Sequence, residues 1–156
     1  MKLERSILGL AAEYAVASEL CKRNVYAQLT LGVKKRTDIL AETEKEMFRI
    51  QVKGKQDEYW PAVKGIYGKD MFLVLVDFQN KQENERPDFY ILTVEDWKHF
   101  MATGMEYKEK VTIDERTNKP TKSDGFEGAN VKPSMVTECL EKWEKIIQLI
   151  TENSPP

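Results

Sequence analysis

The segments RTDILA at residues 36–41 and FRIQVK at residues 48–53 decide the fold, because their alternation of polar and apolar residues predicts the two strands of a β-hairpin. Successive side chains point to opposite faces of a strand, so Gln51 and Lys53 share the polar face of the second strand. The first strand contributes one acidic residue, Asp38. The hairpin therefore brings an acid, an amide and an amine close together.

This combination of groups can bind a divalent metal ion and polarise a phosphodiester. Asp38 and the amide oxygen of Gln51 are hard ligands that suit Mg²⁺ or Mn²⁺, and the backbone carbonyl of Val52 is a further neutral donor. Lys53 is suited to orient or deprotonate the attacking water, or to stabilise the anionic transition state. The hypothesis has a geometric condition, since only an even-length turn, such as a two-residue turn at Glu44-Lys45, places Asp38 opposite Gln51.

Length and composition indicate one domain that spans residues 1–156, because 156 residues with 41% hydrophobic content are enough for one core but not for two. The net charge of -2 excludes a general polycation, yet residues 22–69 contain eleven basic and six acidic residues, a net charge of +5. Positive charge therefore gathers around the hairpin. Cys21 and Cys139 lack metal-ligand spacing and are expected to be reduced.

The N-terminal segment only faintly resembles a signal peptide, because Glu13 interrupts its short apolar run. No run approaches the roughly 18 apolar residues of a membrane span. We therefore expect a cytoplasmic protein that does not enter a membrane.

The pattern of apolar residues predicts an α/β domain with helices on a mixed sheet. Residues 105–133 are polar and rich in turn signals, which predicts an irregular, mobile segment with a short edge strand at residues 111–113. Residues 153–156 are expected to form a frayed tail. The predicted helices are residues 3–23, 95–102 and 132–151, and the predicted strands are residues 25–31, 37–43, 47–53, 71–78 and 88–94.

Glu13 is a further candidate for the metal site, because its neighbours on the predicted helix are small or apolar residues. Gly9 and Ala12 are expected to let that side of the helix approach the sheet closely, which would direct Glu13 towards a metal. The alternative is an interfacial glutamate paired with a lysine or a backbone amide.

The order of these features resembles the PD-(D/E)XK nuclease superfamily, and it is similar to the small members related to Holliday-junction resolvases and intron-encoded homing endonucleases. The resemblance implies a restriction-endonuclease-like mixed central sheet flanked by helices, with an α-β-β-β-α-β core. It makes Glu13 the helix acid, Asp38 the motif aspartate, and Gln51 and Lys53 the (D/E)XK pair. The sequence departs from the motif at Arg36-Thr37, which replaces the usual proline, and at Gln51, which replaces the usual acid.

The resemblance implies a Mg²⁺- or Mn²⁺-dependent endonuclease that hydrolyses phosphodiester bonds in DNA, plausibly as a homodimer. The alternative is a catalytically inactive nuclease-like module that binds nucleic acid or a protein partner. Basic and aromatic residues near the hairpin are candidates for contacts with nucleic acid. A solvated basic turn and aromatic residues that cap the sheet are the competing interpretations. These candidates are Lys34, Lys35, Arg36, Arg49, Lys55, Tyr59, Trp60 and Lys64.

Overall fold

A computed structural model describes residues 2–31, 37–104 and 110–152. Within these residues the chain forms helices and strands in the order α1, β1–β6, α2, β7–β9, α3. The helices are α1 (Arg5–Lys22), α2 (Val94–Thr103) and α3 (Glu144–Glu152). The strands are β1 (Tyr26–Leu29), β2 (Ile39–Glu42), β3 (Met47–Lys55), β4 (Trp60–Val63), β5 (Met71–Asp77), β6 (Asp88–Leu92), β7 (Val111–Ile113), β8 (Pro120–Lys122) and β9 (Ala129–Val131).

Five strands form a mixed central sheet in the order β1-β2-β3-β5-β6. Strands β3 and β5 run parallel, and the other neighbours in this sheet are antiparallel. Every residue of β5 is buried, as expected for a continuous apolar run at the centre of a sheet that is covered on both faces. The predicted mixed sheet with flanking helices is confirmed.

Each face of the central sheet has its own apolar core. On one face, α1 and α3 pack against residues such as Ile50 and Val74. On the other face, α2 and the two-stranded sheet of β4 and β9 pack against residues such as Leu75 and Leu92. Successive side chains of β3 point to opposite faces of the sheet. Ile50 points to the core under α1, so the polar residues Gln51 and Lys53, at the alternate positions, lie on the face that carries α2 and β4.

Helix α1 packs on β3 through a stripe of buried residues at four-residue spacing, namely Leu8, Ala12, Val16 and Leu20. The closest approach is at Gly54, where an added Cβ atom would lie 3.0 Å from Cβ of Ala12. The sequence analysis expected Gly9 to permit this approach, and that expectation is wrong for Gly9. A Cβ atom added to Gly9 would meet no atom within 4 Å.

The helix predicted at residues 132–151 is wrong over its first half. Residues 133–139 form two short 3-10 turns, and α3 begins only at Glu144. Glu141 has a left-handed φ of 53° and its N–H donates to the carbonyl of Phe89, which lies on the edge strand β6. The apolar residues of this segment are divided between the two cores, so Val136 packs on one face of the sheet and Trp143 on the other. The apolar pattern at residues 132–151 therefore comes from a chain that crosses the edge of the sheet, and not from one continuous helix.

The part of the segment at residues 105–133 that the structure describes contains three short strands. The edge strand predicted at residues 111–113 is present as β7 and pairs with β8, while β9 pairs with β4. The turn between β7 and β8 is tied to the core because Nε1 of Trp97 donates to the carbonyl of Asn118 at 2.8 Å. Residues 105–109 and 153–156 lie outside the described residues. Within the described ranges, no helix is long and apolar enough to cross a membrane.

Candidate functional site

The hairpin of β2 and β3 has the even-length turn that the metal-site hypothesis requires, but its regular pairing stops before Asp38. Ile39 lies opposite Ile50, and the N–H of Asp38 donates to the carbonyl of Ile50 at 3.1 Å. A two-residue turn at Glu44-Lys45 closes the hairpin. Asp38 directly precedes β2, and its N–H donates to the carbonyl of Ile50, which already lies opposite Ile39, so the ladder is irregular at this point.

The carboxylate of Asp38 binds the backbone of β3 directly. Its Oδ2 atom accepts a hydrogen bond of 2.8 Å from the N–H of Val52. The N–H and C=O of a strand residue point to the same side, so the carbonyl of Val52 is also directed to the edge of β3 where Asp38 lies. Two of the predicted oxygen donors thus share one edge of the strand, just beyond the end of its pairing with β2.

Lys53 lies on the wall of a cleft between α1, β3 and β4, with a volume of about 600 Å³. It is half-buried, and among the described residues it makes no hydrogen bond or ion pair. Burial lowers the pKa of Lys53, and repulsion from Arg5 and Lys64 lowers it further, whereas the charge of Asp38 raises it. The cleft is lined by Leu3, Arg5, Leu8, Gly9, residues 52–57, Tyr59 and Pro61.

Glu13 is half-buried on α1. Residues one position apart are about 100° apart around a helix, so Ala11 and Glu13 flank Ala12 on opposite sides. Ala11 lines a second cleft with Phe78 and Asn80, which follow β5. Glu13 therefore lies on the flank of α1 opposite Ala11.

Two of the predicted contacts to nucleic acid are not available on the surface. Trp60 is 0% exposed, and its Nε1 atom donates to the carbonyl of Val76 at 3.0 Å. Lys55 is 2% exposed, and its Nζ atom donates to Oδ1 of Asp77 at 2.7 Å and to Oε1 of Gln79 at 3.0 Å. The alternation on β3 placed Lys55 on the polar face correctly, but β4 covers that face at this point. The interpretation that aromatic residues cap the sheet fits Trp60.

The other predicted contacts differ in how accessible they are. Tyr59 and Lys64 are exposed, and Tyr59 lines the cleft. Arg49 is half-exposed, but its guanidinium forms two hydrogen bonds with the carboxylate of Asp70, at 2.9 and 3.2 Å. The remaining three, Lys34, Lys35 and Arg36, lie outside the described residues.

Arg5 is a residue at this site that sequence reasoning missed. It is exposed at the start of α1 and lines the cleft beside Lys53. The signal was present in the sequence, because Arg5, Gly9 and Glu13 follow each other at four-residue spacing and so lie along one ridge of the helix. The sequence analysis considered Gly9 and Glu13 on that ridge but stopped before Arg5.

The donors at this site are chemically suited to a hard divalent cation. Asp38 and Glu13 have carboxylates, and Gln51 and Val52 add neutral oxygens; such ligands suit Mg²⁺ or Mn²⁺ better than zinc. Within residues 2–31, 37–104 and 110–152, no group of three or more His, Cys, Asp or Glu residues is arranged to hold a metal ion. Neutral donors are thus essential to any metal site in this part of the chain, and Gln51 in place of an acid lowers its negative charge.

Comparisons with known proteins identify the fold but supply no sequence relatives. No protein-family model matches the chain, and no curated protein matches it significantly in sequence. Among solved structures, the chain is similar to I-Ssp6803I, a bacterial homing endonuclease, with a TM-score of 0.60 and 16% sequence identity. The match covers 99% of this chain and 100% of the other. The chain therefore shares its fold with this homing endonuclease, and the mixed central sheet with flanking helices agrees with the sequence prediction.

Proposed function

We propose that this protein is a metal-dependent endonuclease that hydrolyses phosphodiester bonds in DNA. The observation that carries the proposal is the hydrogen bond of 2.8 Å that the Asp38 carboxylate accepts from the N–H of Val52, the residue between Gln51 and Lys53 on β3. Lys53 follows on the same strand, in a cleft and without an ion pair among the described residues. The fold shared with a homing endonuclease supports the same class of reaction.

Each residue has a definite role in this proposal. Asp38, Gln51 and the carbonyl of Val52 would hold a Mg²⁺ or Mn²⁺ ion, and Glu13 would add a second negative charge. When bound, the ion supplies a Lewis acid for the phosphoryl oxygen and lowers the pKa of water. Lys53 donates an N–H to the attacking water or to a phosphate oxygen, and the half-buried setting of its amine strengthens that interaction.

A cleavage assay with plasmid and duplex DNA in Mg²⁺, Mn²⁺ or EDTA tests the proposal. We expect metal-dependent cleavage that Asp38→Asn abolishes, and that Lys53→Met lowers by about 10²- to 10⁴-fold, the range typical of a lost group in proton transfer. Glu42→Gln is the matched control, since this exposed acid lies at the other end of β2. If Asp38→Asn cleaved DNA as fast as Glu42→Gln does, the assignment of the site would be refuted.

The second candidate function is binding of nucleic acid without cleavage. The amide of Gln51 favours it, because this residue replaces an acid and leaves only two carboxylates among the proposed metal ligands. Calorimetric titration with Mn²⁺ separates the two functions. Heat of binding that disappears in Asp38→Asn supports the nuclease, whereas DNA binding with no Asp38-dependent heat supports the inactive module.

Two active sites in one complex can cut both strands of a duplex in a single binding event, so we also propose that the protein acts as a homodimer. Sedimentation velocity of the purified protein measures this directly. A species with the mass of one chain in the free protein, and of one chain per duplex when DNA is added, would contradict the dimer.

A further inference from the structure

The cleft beside Lys53 gathers positive charge from two residues that form no ion pair within the described part of the chain. Arg5 and Lys53 both line it, and neither forms an ion pair or a side-chain hydrogen bond among the described residues. Lys64 adds a third positive charge near Lys53, and its contact with Glu127 is a long one, 3.9 Å, between exposed groups. A surface pair of this kind contributes little to stability.

The acidic groups near the cleft are already bound elsewhere. Asp57 forms an ion pair of 2.9 Å with Lys2, and Asp77 is held by Lys55. The carboxylate of Asp38 accepts from the backbone of β3. The positive charges of Arg5 and Lys53 in one cleft repel each other, Lys64 adds to that repulsion, and a bound anion would lower its cost.

We propose that Arg5, together with Lys64, binds a backbone phosphate of the nucleic acid in this cleft, next to the phosphate that Lys53 contacts. The inference rests on the proposed function and deepens it, because it assigns a substrate-binding role to a residue outside the four-residue motif. The shape of the cleft supports it, since Gly9 leaves open space between Arg5 and the β3 wall, where a Cβ would meet no atom within 4 Å. The planar guanidinium of Arg5 is suited to two parallel hydrogen bonds with a phosphate.

The test measures binding of a fluorescent duplex by anisotropy in EDTA over a series of salt concentrations, so that cleavage does not enter. We expect Arg5→Gln to weaken binding about tenfold, the effect of losing one charge-assisted hydrogen-bonded contact. The slope of log K against log salt should fall by about 0.9, the value for one phosphate contact. Arg5→Lys should recover most of the salt slope but not all of the affinity, because an amine cannot form the two-bond contact.

Lys22→Gln is the matched control, because it removes one charge from the opposite end of the same helix. Circular dichroism confirms that each variant is folded. An Arg5→Gln variant with the affinity and salt slope of Lys22→Gln overturns the phosphate site, and so does a wild-type protein that binds no DNA in EDTA. A wild-type protein that binds DNA in this Arg5-dependent way, yet cleaves none in Mg²⁺ or Mn²⁺, supports the phosphate site and refutes only the nuclease.

Discussion

Adding one methyl group at either of two glycines beside the cleft should have opposite effects on stability. At Gly54 an added Cβ would lie 3.0 Å from Cβ of Ala12 and 3.3 Å from the carbonyl oxygen of Leu8. Both atoms belong to α1, so the helix as a whole must move. Overpacking of this kind costs about 1–3 kcal/mol, and the lower entropy of the unfolded Ala variant returns about 0.4–1 kcal/mol. Gly54→Ala should therefore destabilise the protein by about 1–2 kcal/mol.

Gly9→Ala adds the same methyl group to a helix position with open space around it. It should stabilise the protein by about 1 kcal/mol, the difference in helix propensity between Gly and Ala. Urea unfolding followed by circular dichroism measures both variants, and the two should differ by about 2–3 kcal/mol in the free energy of unfolding. A Gly54→Ala variant as stable as the wild type would refute the close packing of α1 on β3. A Gly9→Ala variant destabilised to the same extent as Gly54→Ala would refute the open space at Gly9.

Two further predictions concern charged groups. The carboxyl of Glu19 has its pKa lowered to about 2, first by its hydrogen bond to Arg86, so its contribution is complete above pH 4.5 and is lost as the pH falls towards 2. The free energy of unfolding should fall by about 3 kcal/mol over this pH range. Urea unfolding of Glu19→Gln at the same pH values should not show this fall. Lys55→Met should cost about 3–5 kcal/mol because it leaves Asp77 buried without its partner. Lys53→Met should leave the free energy of unfolding unchanged or raise it, since the Lys53 amine is half-buried without an ion pair among the described residues. Equal losses of stability in Lys53→Met and Lys55→Met would contradict this distinction.

The sequence predicted the central part of the fold because that part follows local rules. Strand β5 is buried on both faces, and its sequence is a continuous apolar run. Strands β2 and β3 each have one face that is more polar, and their sequences alternate, so each pattern follows directly from burial. The even length of the hairpin turn then set the regular register of β2 and β3, which ends at Ile39, next to Asp38. The prediction failed where tertiary contacts replaced local ones, at residues 132–143, whose apolar residues divide between two cores.

The alternation in β3 also shows what a sequence pattern cannot resolve. Lys53 and Lys55 lie two residues apart on β3 and so share one face, and the pattern alone gives no reason to expect different environments for them. A polar face can meet solvent or a second layer of the protein, and only the position of β4 decides between them. Arg5 was missed for a related reason, because a charged residue at the start of a helix is ordinary until the cleft beside it is known.

The proposed site lies where the ladder between β2 and β3 ends, and this explains why the motif residues cluster there. On the polar face of β3, Arg49 and Lys55 are held by Asp70 and Asp77, so both ends of that face are fixed by ion pairs. Between them the pairing with β2 stops at Ile39, and the carboxylate of Asp38 accepts from the next N–H directed to that edge of β3. A strand edge without a paired neighbour is normally a liability. Here it leaves Val52 and Lys53 on the wall of a cleft, on a strand that is fixed at both ends, and a positioned phosphate would require such rigidity.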